Sequence, residues 1–352
     1  MLTADIRQAV WDAAQEAVAA GELPPVVSVP AGQPADPSTL RPGGGPGCYR
    51  SSLAFCLSGP RDAAGRAAVV LARRLAGVPW VAAAEAAAGQ VSVVVTEQAL
   101  TGVAVRASVA VDCAGSTILR GLRRAAPPPG TLAGCADWAA ARDWVAARAG
   151  SRLAATAGAD VNLPERLPPP PPAAFSAPSP VQAALDYAGA DVVTFALLRP
   201  GGIPPSPAAA DLPVRQHPGN PAYAVRYAHA HAASILRQAT DLRVDAGEAE
   251  EVASRLLSQP QERALLGALS WLPERVAWAA RQQRPGEFHR YLEGLASTCH
   301  DCWESCPALP FGGDRAPRDA ATAGARLWLV AAARVALASG LNLLGVSAPG
   351  RL

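Results

Sequence analysis

The chain has 352 residues, half of them hydrophobic, which leaves room for two or three domains and a sizeable core. Its formal net charge is only +2, with 16 arginines against 16 acids after residue 180, so a protein held to nucleic acid by a global basic field is excluded and any such contact must be local. Every basic residue is arginine, the seven cysteines are odd in number, and the 34 prolines are clustered, a pattern of reduced thiols in a cytoplasmic protein and of ordered blocks joined by loose connectors.

Residues 1–111 predict a small α+β domain. Ile6, Val10, Ala13, Ala14, Ala17 and Val18 recur at helical spacing, and the pattern stops at Gly21 and Pro24-Pro25. Asp5, Asp12 and Glu16 on that helix exclude a signal or transit peptide. Val26 to Val29 predicts a strand, Tyr49 to Leu57 a strand or short helix, and Ala67 to Leu75 a helix. Val91 to Val95, short and β-branched, is the clearest strand.

Residues 112–180 contain Pro127-Pro128-Pro129 and the run Pro168 to Pro172, which favour extended spacers over sheets or long helices. The block is expected to be a proline-rich linker around a short helix from Trp138 to Arg148.

Residues 181–352 predict an all-α bundle. Asn220-Pro221 combines an N-cap with proline at the first helical position and starts a helix reaching about Ala239. Further helices are expected over about Ala246–Leu257, Gln261–Leu272, from Pro273-Glu274 onward, Glu287–Cys306 and Pro317–Ser339, the last stopped by Gly340. Helices of this length with short connections form a bundle. The predicted class is therefore an α+β domain followed by an all-α helical bundle, mainly α overall. No run of about 18 apolar residues lacks a charge, so no membrane span is expected.

The third block carries ordered motifs. Gly219-Asn220-Pro221-Ala222-Tyr223-Ala224-Val225-Arg226-Tyr227-Ala228-His229-Ala230 resembles the N-P-x-x-x-V-Q-Y-A-H-A-R stretch of arginyl-tRNA synthetases. Upstream, Leu185-Asp186-Tyr187-Ala188-Gly189-Ala190-Asp191 with Phe195 and Leu197-Leu198 is similar to that family's L-D-x-x-G-A-D-A-x-R-F-x-L-L. Leu265 to Ala280, the stretch from Tyr291-Leu292 through His300 to Cys306, and the ending Gly340-Leu341 to Pro349 match three further motifs in order. The resemblance implies an anticodon-binding bundle of the class I aminoacyl-tRNA synthetase type, named for an Asp-Ala-Leu-Arg signature. The signature position here is Asp191-Val192-Val193-Thr194, without its arginine, and His231 replaces the arginine closing the Tyr-Ala-His-Ala stretch. More weakly, Gly47-Cys48-Tyr49 and Val91 to Val95 resemble the family's N-terminal domain, which touches the elbow of the tRNA.

The family's catalytic chemistry depends on a His-x-Gly-His turn and a Lys-Met-Ser-Lys-type loop that position ATP. The five histidines are at 217, 229, 231, 289 and 300, none of them ahead of the bundle, and the chain has no lysine. About 70 proline-broken residues cannot hold the repeated βαβ units of a nucleotide-binding domain. The resemblance therefore implies a non-catalytic paralogue that binds tRNA, with arginine tRNA the expected partner and no cofactor or metal. A protein-interaction module reusing the same bundle is the alternative.

The candidate tRNA-binding residues are Asn220, Tyr223, Arg226, Tyr227, His231, Trp303, Arg326 and Arg351. Aromatic rings stack on unpaired bases and arginines meet phosphate, but an aromatic every fourth residue more often packs a core, and Tyr227 is expected to do so. Cys299, Cys302 and Cys306 form one helical stripe, expected to be core rather than a zinc half-site.

Overall fold

A computed structural model describes residues 2–24, 40–58, 61–109, 124–125, 130–158, 161–162, 179–199, 220–246, 257–310, 317 and 319–352. The first helix, α1 (Leu2–Ala19), buries Ile6, Val10, Ala14 and Ala17, the apolar stripe of its sequence. Strands β1 (Leu40–Pro42), β2 (Cys48–Ser51), β3 (Val81–Ala87) and β4 (Gln90–Val95) form an antiparallel sheet in the order β1-β2-β4-β3. In β4, Val91, Val93 and Val95 are buried and the residues between them are not, which is the period of a strand with one face on the core. Helix α2 (Leu53–Ser58) follows β2, so the segment from Tyr49 to Leu57 is both strand and helix. Helix α3 (Arg61–Leu75) lays Ala67, Ala68, Leu71 and Leu75 on the sheet, and α4 (Glu97–Val109) follows β4. The expected strand at Val26 to Val29 lies outside the described residues.

Strand β3 has an alanine-rich sequence with high intrinsic helix propensity. It becomes a strand because the chain folds back on β4 through Ala88 and Gly89, both at positive φ (49° and 76°), the two-residue turn that matches strand twist. A side chain at Gly89 would also meet the Phe55 ring, whose Cζ is 2.6 Å from an ideal Cβ.

Between the two predicted domains, β5 (Arg124–Ala125) and β6 (Val161–Asn162) make a minimal parallel pair around α5 (Trp138–Thr156). Asp137 caps α5 by accepting from the Ala140 N–H at 2.8 Å. This helix continues past Arg148 to Thr156, longer than expected, because Ala149, Leu153 and Ala154 are buried where it packs against the bundle. Both proline runs lie outside the described residues.

The bundle contains α6 (Pro180–Ala188) and α7 (Ala190–Leu198), bent 118° at Gly189, then α8 (Pro221–Asp241), α9 (Pro260–Ser270), α10 (Leu272–Gln282), α11 (Pro285–Ser305) and α12 (Ala320–Leu344). Most of the helix expected over Ala246–Leu257 lies outside the described residues. Helix α12 does not stop at Gly340. It runs on to Leu344 and ends at Gly345, which takes the left-handed conformation (φ 83°). Gly340 is instead the crossing point with α11, where a Cβ would collide with Leu292. By length and composition α12 could cross a membrane, yet its apolar residues are accounted for by burial against α4, α8 and α11.

Buried polar contacts tie the N-terminal segment to the bundle. Thr3 Oγ1 donates to the Ser270 carbonyl (2.9 Å), and the Tyr49 hydroxyl shares a hydrogen bond with Ser270 Oγ (2.8 Å). Burial pushes the Tyr49 pKa up to about 12, which keeps that hydroxyl protonated. Arg7 of α1 pairs with Glu274 of α10, both nearly inaccessible, and at the rim Arg263 meets Glu97 at 2.7 Å. Helix α4 lies along α12 and α9.

Gly324 on α12 is the second close approach, with the Ala246 carbonyl oxygen 2.7 Å from where a Cβ would stand. In open space Gly→Ala in a helix gains up to about 1 kcal/mol. Here Gly324→Ala is expected to lower unfolding stability by about 1–2 kcal/mol, because backbone rather than a side-chain tip must move. A denaturant midpoint equal to or above the parent's would contradict this packing.

Candidate nucleic-acid interface

Tyr223, Tyr227 and His231 lie at i, i+4 and i+8 on α8 and so share a face. Helix α11 brings His300 and Trp303 to that face. The Tyr223 and Tyr227 rings stack with centroids 5.4 Å apart, and Tyr227 stacks on His300 at the same distance. His231 sits 5.6 Å from Tyr227, 6.3 Å from His300 and 5.2 Å from Trp303, the last edge-to-face. The result is a continuous ladder of five rings between two helices.

Tyr227 is the exposed member, with 38% of its surface accessible. The expectation that it packs in the core is therefore wrong, for a physical reason. Helix α8 fills its core face with Ala222, Val225, Ala228, Ala232 and Ile235, which leaves the tyrosine stripe outside. Trp303 is buried behind the ladder, and its Nε1 and the Nδ1 of His231 have no hydrogen-bond partner among the described residues. Burial holds the pKa of both His231 and His300 below the ordinary imidazole value, and His300 depresses His231 further. Both imidazoles are thus biased toward the neutral form.

The other candidates are placed differently. Asn220 is buried as the cap of α8, its Oδ1 accepting from the Ala222 N–H at 3.1 Å. Arg226 pairs with Asp191 at 3.4 Å. Arg326 is an internal strut, 2.7 Å from Glu262 and donating to the Pro307 carbonyl at 2.9 Å, so the expected phosphate contact is not open to it. Arg351 is exposed on the C-terminal tail. That tail is held to α7 by the Ser347 N–H donating to Asp191 (3.0 Å), and along α8 by His229 to the Pro349 carbonyl (2.9 Å) and Arg237 to the Gly350 carbonyl (2.9 Å). His300 was not among the sequence candidates. Its spacing of three from Trp303 was a usable signal, but its approach to Tyr227 is a tertiary fact.

Cys299, Cys302 and Cys306 are buried in the core, and among the described residues no group of three or more His, Cys, Asp or Glu is arranged to hold an ion. On the N-terminal domain, a cleft of about 830 Å³ is lined by Asp5, Asp12, Glu16, Arg74, Trp80 and Arg106. Its two arginines are turned to carboxylates, Arg74 to Glu16 at 3.3 Å and Arg106 to Asp5 at 3.2 Å, so it offers phosphate little open cationic surface.

His289 lies beneath the bundle surface, wholly inaccessible, with its ring 4.0 Å from that of Phe195. Burial and then the nearby Arg199 depress its pKa to about 4, against 6.5 for a free imidazole. The unfolded chain therefore takes up this proton as pH falls below 6.5 and the folded chain does not until near 4. Native stability is full above pH 6.5 and is expected to decline by up to about 3 kcal/mol on going to pH 4. Glu293, whose carboxyl is pushed up by burial, acts in the opposite sense. Comparing urea midpoints of the parent and His289→Phe at pH 7 and 4.5 isolates the histidine. Parallel pH profiles would show that it contributes nothing.

The C-terminal region is thus an all-α bundle that carries a ring ladder between α8 and α11 and has its tail held back onto α7 and α8. Residues 225–352 match the DALR anticodon binding domain, and the C-terminal region of this chain is a domain of that family. The chain is 41% identical over 169 residues to the arginine–tRNA ligase of Frankia alni, an alignment covering 48% of this chain and 30% of that protein. It is 39% identical over 142 residues to the arginine–tRNA ligase of Moorella thermoacetica, covering 40% and 24%. Among solved structures, the arginyl-tRNA synthetase of Thermus thermophilus is 25% identical, covers 49% of this chain and 27% of its own, and superposes with a TM-score of 0.36. The alignments thus span less than a third of each relative's length.

Proposed function

We propose that this protein is a non-catalytic relative of arginyl-tRNA synthetase that binds tRNA, with arginine tRNA preferred, in the cytoplasm. The observation that carries this is the ladder Tyr223–Tyr227–His300, exposed at Tyr227 and backed by His231 and Trp303. Unpaired anticodon bases have π-faces that stack on such rings.

The lack of catalysis is supported by where the chain's functional groups are spent. Of its histidines, His229 holds the tail, His231 and His300 build the ladder, and His289 is buried in the bundle. The block between the two domains supplies α5, a helix packed into the bundle. No lysine exists for a Lys-Met-Ser-Lys-type loop.

A filter-binding titration with arginine tRNA and an unrelated tRNA at moderate salt tests the binding. Saturable binding favouring arginine tRNA is expected; no binding to either would sink the proposal, and equal binding would remove the arginine preference. An ATP–pyrophosphate exchange signal from the purified chain would contradict the non-catalytic part. The internal pairing of Arg226 and Arg326 favours the second reading, a bundle that binds a protein partner. Partners retained in a pull-down after RNase treatment would support it.

A further inference from the structure

A second face of the bundle carries a different constellation. A cleft of about 450 Å³, within the range of small-ligand sites, opens where edge strand β1 meets α10, lined by Arg41, Trp271, Glu274, Arg275 and Trp278 among others. Trp271 is already packed, with the Tyr49 ring 5.5 Å away and the Arg275 guanidinium 5.6 Å above its own ring. Trp278, two turns further along α10, is only partly buried, and no ring or guanidinium stacks on it among the described residues. Arg41 is exposed on β1 and has no acidic partner among them. The one carboxylate lining the cleft, Glu274, is paired with Arg7. Among the described residues, the cleft therefore shows an unstacked, partly exposed indole flanked by two guanidiniums, without a free negative charge.

We infer that this cleft binds a single unpaired nucleotide, its base on Trp278 and its phosphate between Arg41 and Arg275. A cationic ligand is disfavoured by the two arginines, and a plain inorganic anion leaves the indole unused. A base within a duplex has its faces covered by its neighbours, so the ligand is an unpaired stretch of RNA. A hollow of about 260 Å³ lined by Tyr291 and Thr298 shares Trp271 and Arg275 with the cleft and gives the next nucleotide room. On α11, Tyr291 and Thr298 lie roughly opposite His300 and Trp303, so this site is separate from the ring ladder. The inference rests on the RNA-binding proposal only for the source of the nucleotide.

The test uses the full chain with a single-stranded octaribonucleotide carrying 4-thiouridine and, separately, tRNA. Photocrosslinks to the octamer are expected in the tryptic peptides 264–275 and 276–281. Trp278→Leu is expected to weaken octamer binding about tenfold. Arg41→Gln, an exposed change that does not threaten folding, is expected to reduce the slope of log K against log salt by about 0.7. Crosslinks elsewhere, or parental octamer affinity and salt slope in both variants, overturn this site whether or not tRNA still binds. Octamer crosslinks at these peptides in a chain that fails to bind tRNA would instead overturn the tRNA proposal and leave the nucleotide site standing.

Discussion

Replacing Tyr227 by alanine is expected to weaken tRNA binding by about one to two orders of magnitude while the fold survives. Base–aromatic stacking is worth roughly 1–3 kcal/mol per base, which is about 5- to 150-fold in affinity. Tyr227 sits at the middle of the ladder, stacked on Tyr223 on one side and on His300 on the other. Its loss removes the exposed ring and leaves Tyr223 and His300 unbridged. Because it is 38% accessible and points away from the apolar face of α8, the melting temperature should move little. Tyr227→Phe keeps the π-face and should retain most of the affinity. Filter binding of the two variants beside a thermal melt separates stacking from folding. Parental affinity in Tyr227→Ala would show that the ladder is not where RNA binds.

Arg326→Met is expected to do the reverse. Glu262 is fully buried, with one carboxylate oxygen 2.7 Å from Arg326 Nε and the other accepting the Gln259 N–H at 3.0 Å, which caps α9. Removing the guanidinium leaves a buried carboxylate without its counter-charge, which costs about 3–5 kcal/mol. The double change Glu262→Gln with Arg326→Met should recover much of that loss, since the stranded charge goes with its partner. Denaturant unfolding of the single and double variants measures both. Affinity for tRNA, corrected for the folded fraction, should be unchanged in Arg326→Met, which distinguishes the strut from the phosphate contact that the sequence suggested. A drop in affinity without a drop in stability would restore the phosphate role.

Local chemistry made a good part of this fold legible. The stripe of α1, the alternation of β4 and the Asn220-Pro221 start of α8 each follow from periodicity or capping within a few residues, and each is present. Where a distant partner decides, the sequence misleads. β3 is alanine-rich and helical by propensity, and only pairing with β4 makes it a strand. Gly340 looks like a helix stop but is small because Leu292 crosses there, while Gly345, five residues on, supplies the left-handed turn. The same division runs through the candidate site. The Tyr223–Tyr227–His231 spacing is visible in one dimension, whereas His300 joins the ladder only because α11 packs on α8. Arginines announce themselves as charges, but nothing in the sequence says that Arg326 turns inward to Glu262.

The C-terminal strap has a consequence for evolutionary drift. Two of its three anchors, His229 to Pro349 and Arg237 to Gly350, end on main-chain carbonyls of the tail. Every residue type supplies that acceptor, so the tail's own side chains can be exchanged by neutral mutation while its mooring to α8 persists. By the same logic, selection on this anchorage falls on His229 and Arg237, the donors on the helix, rather than on the residues they hold.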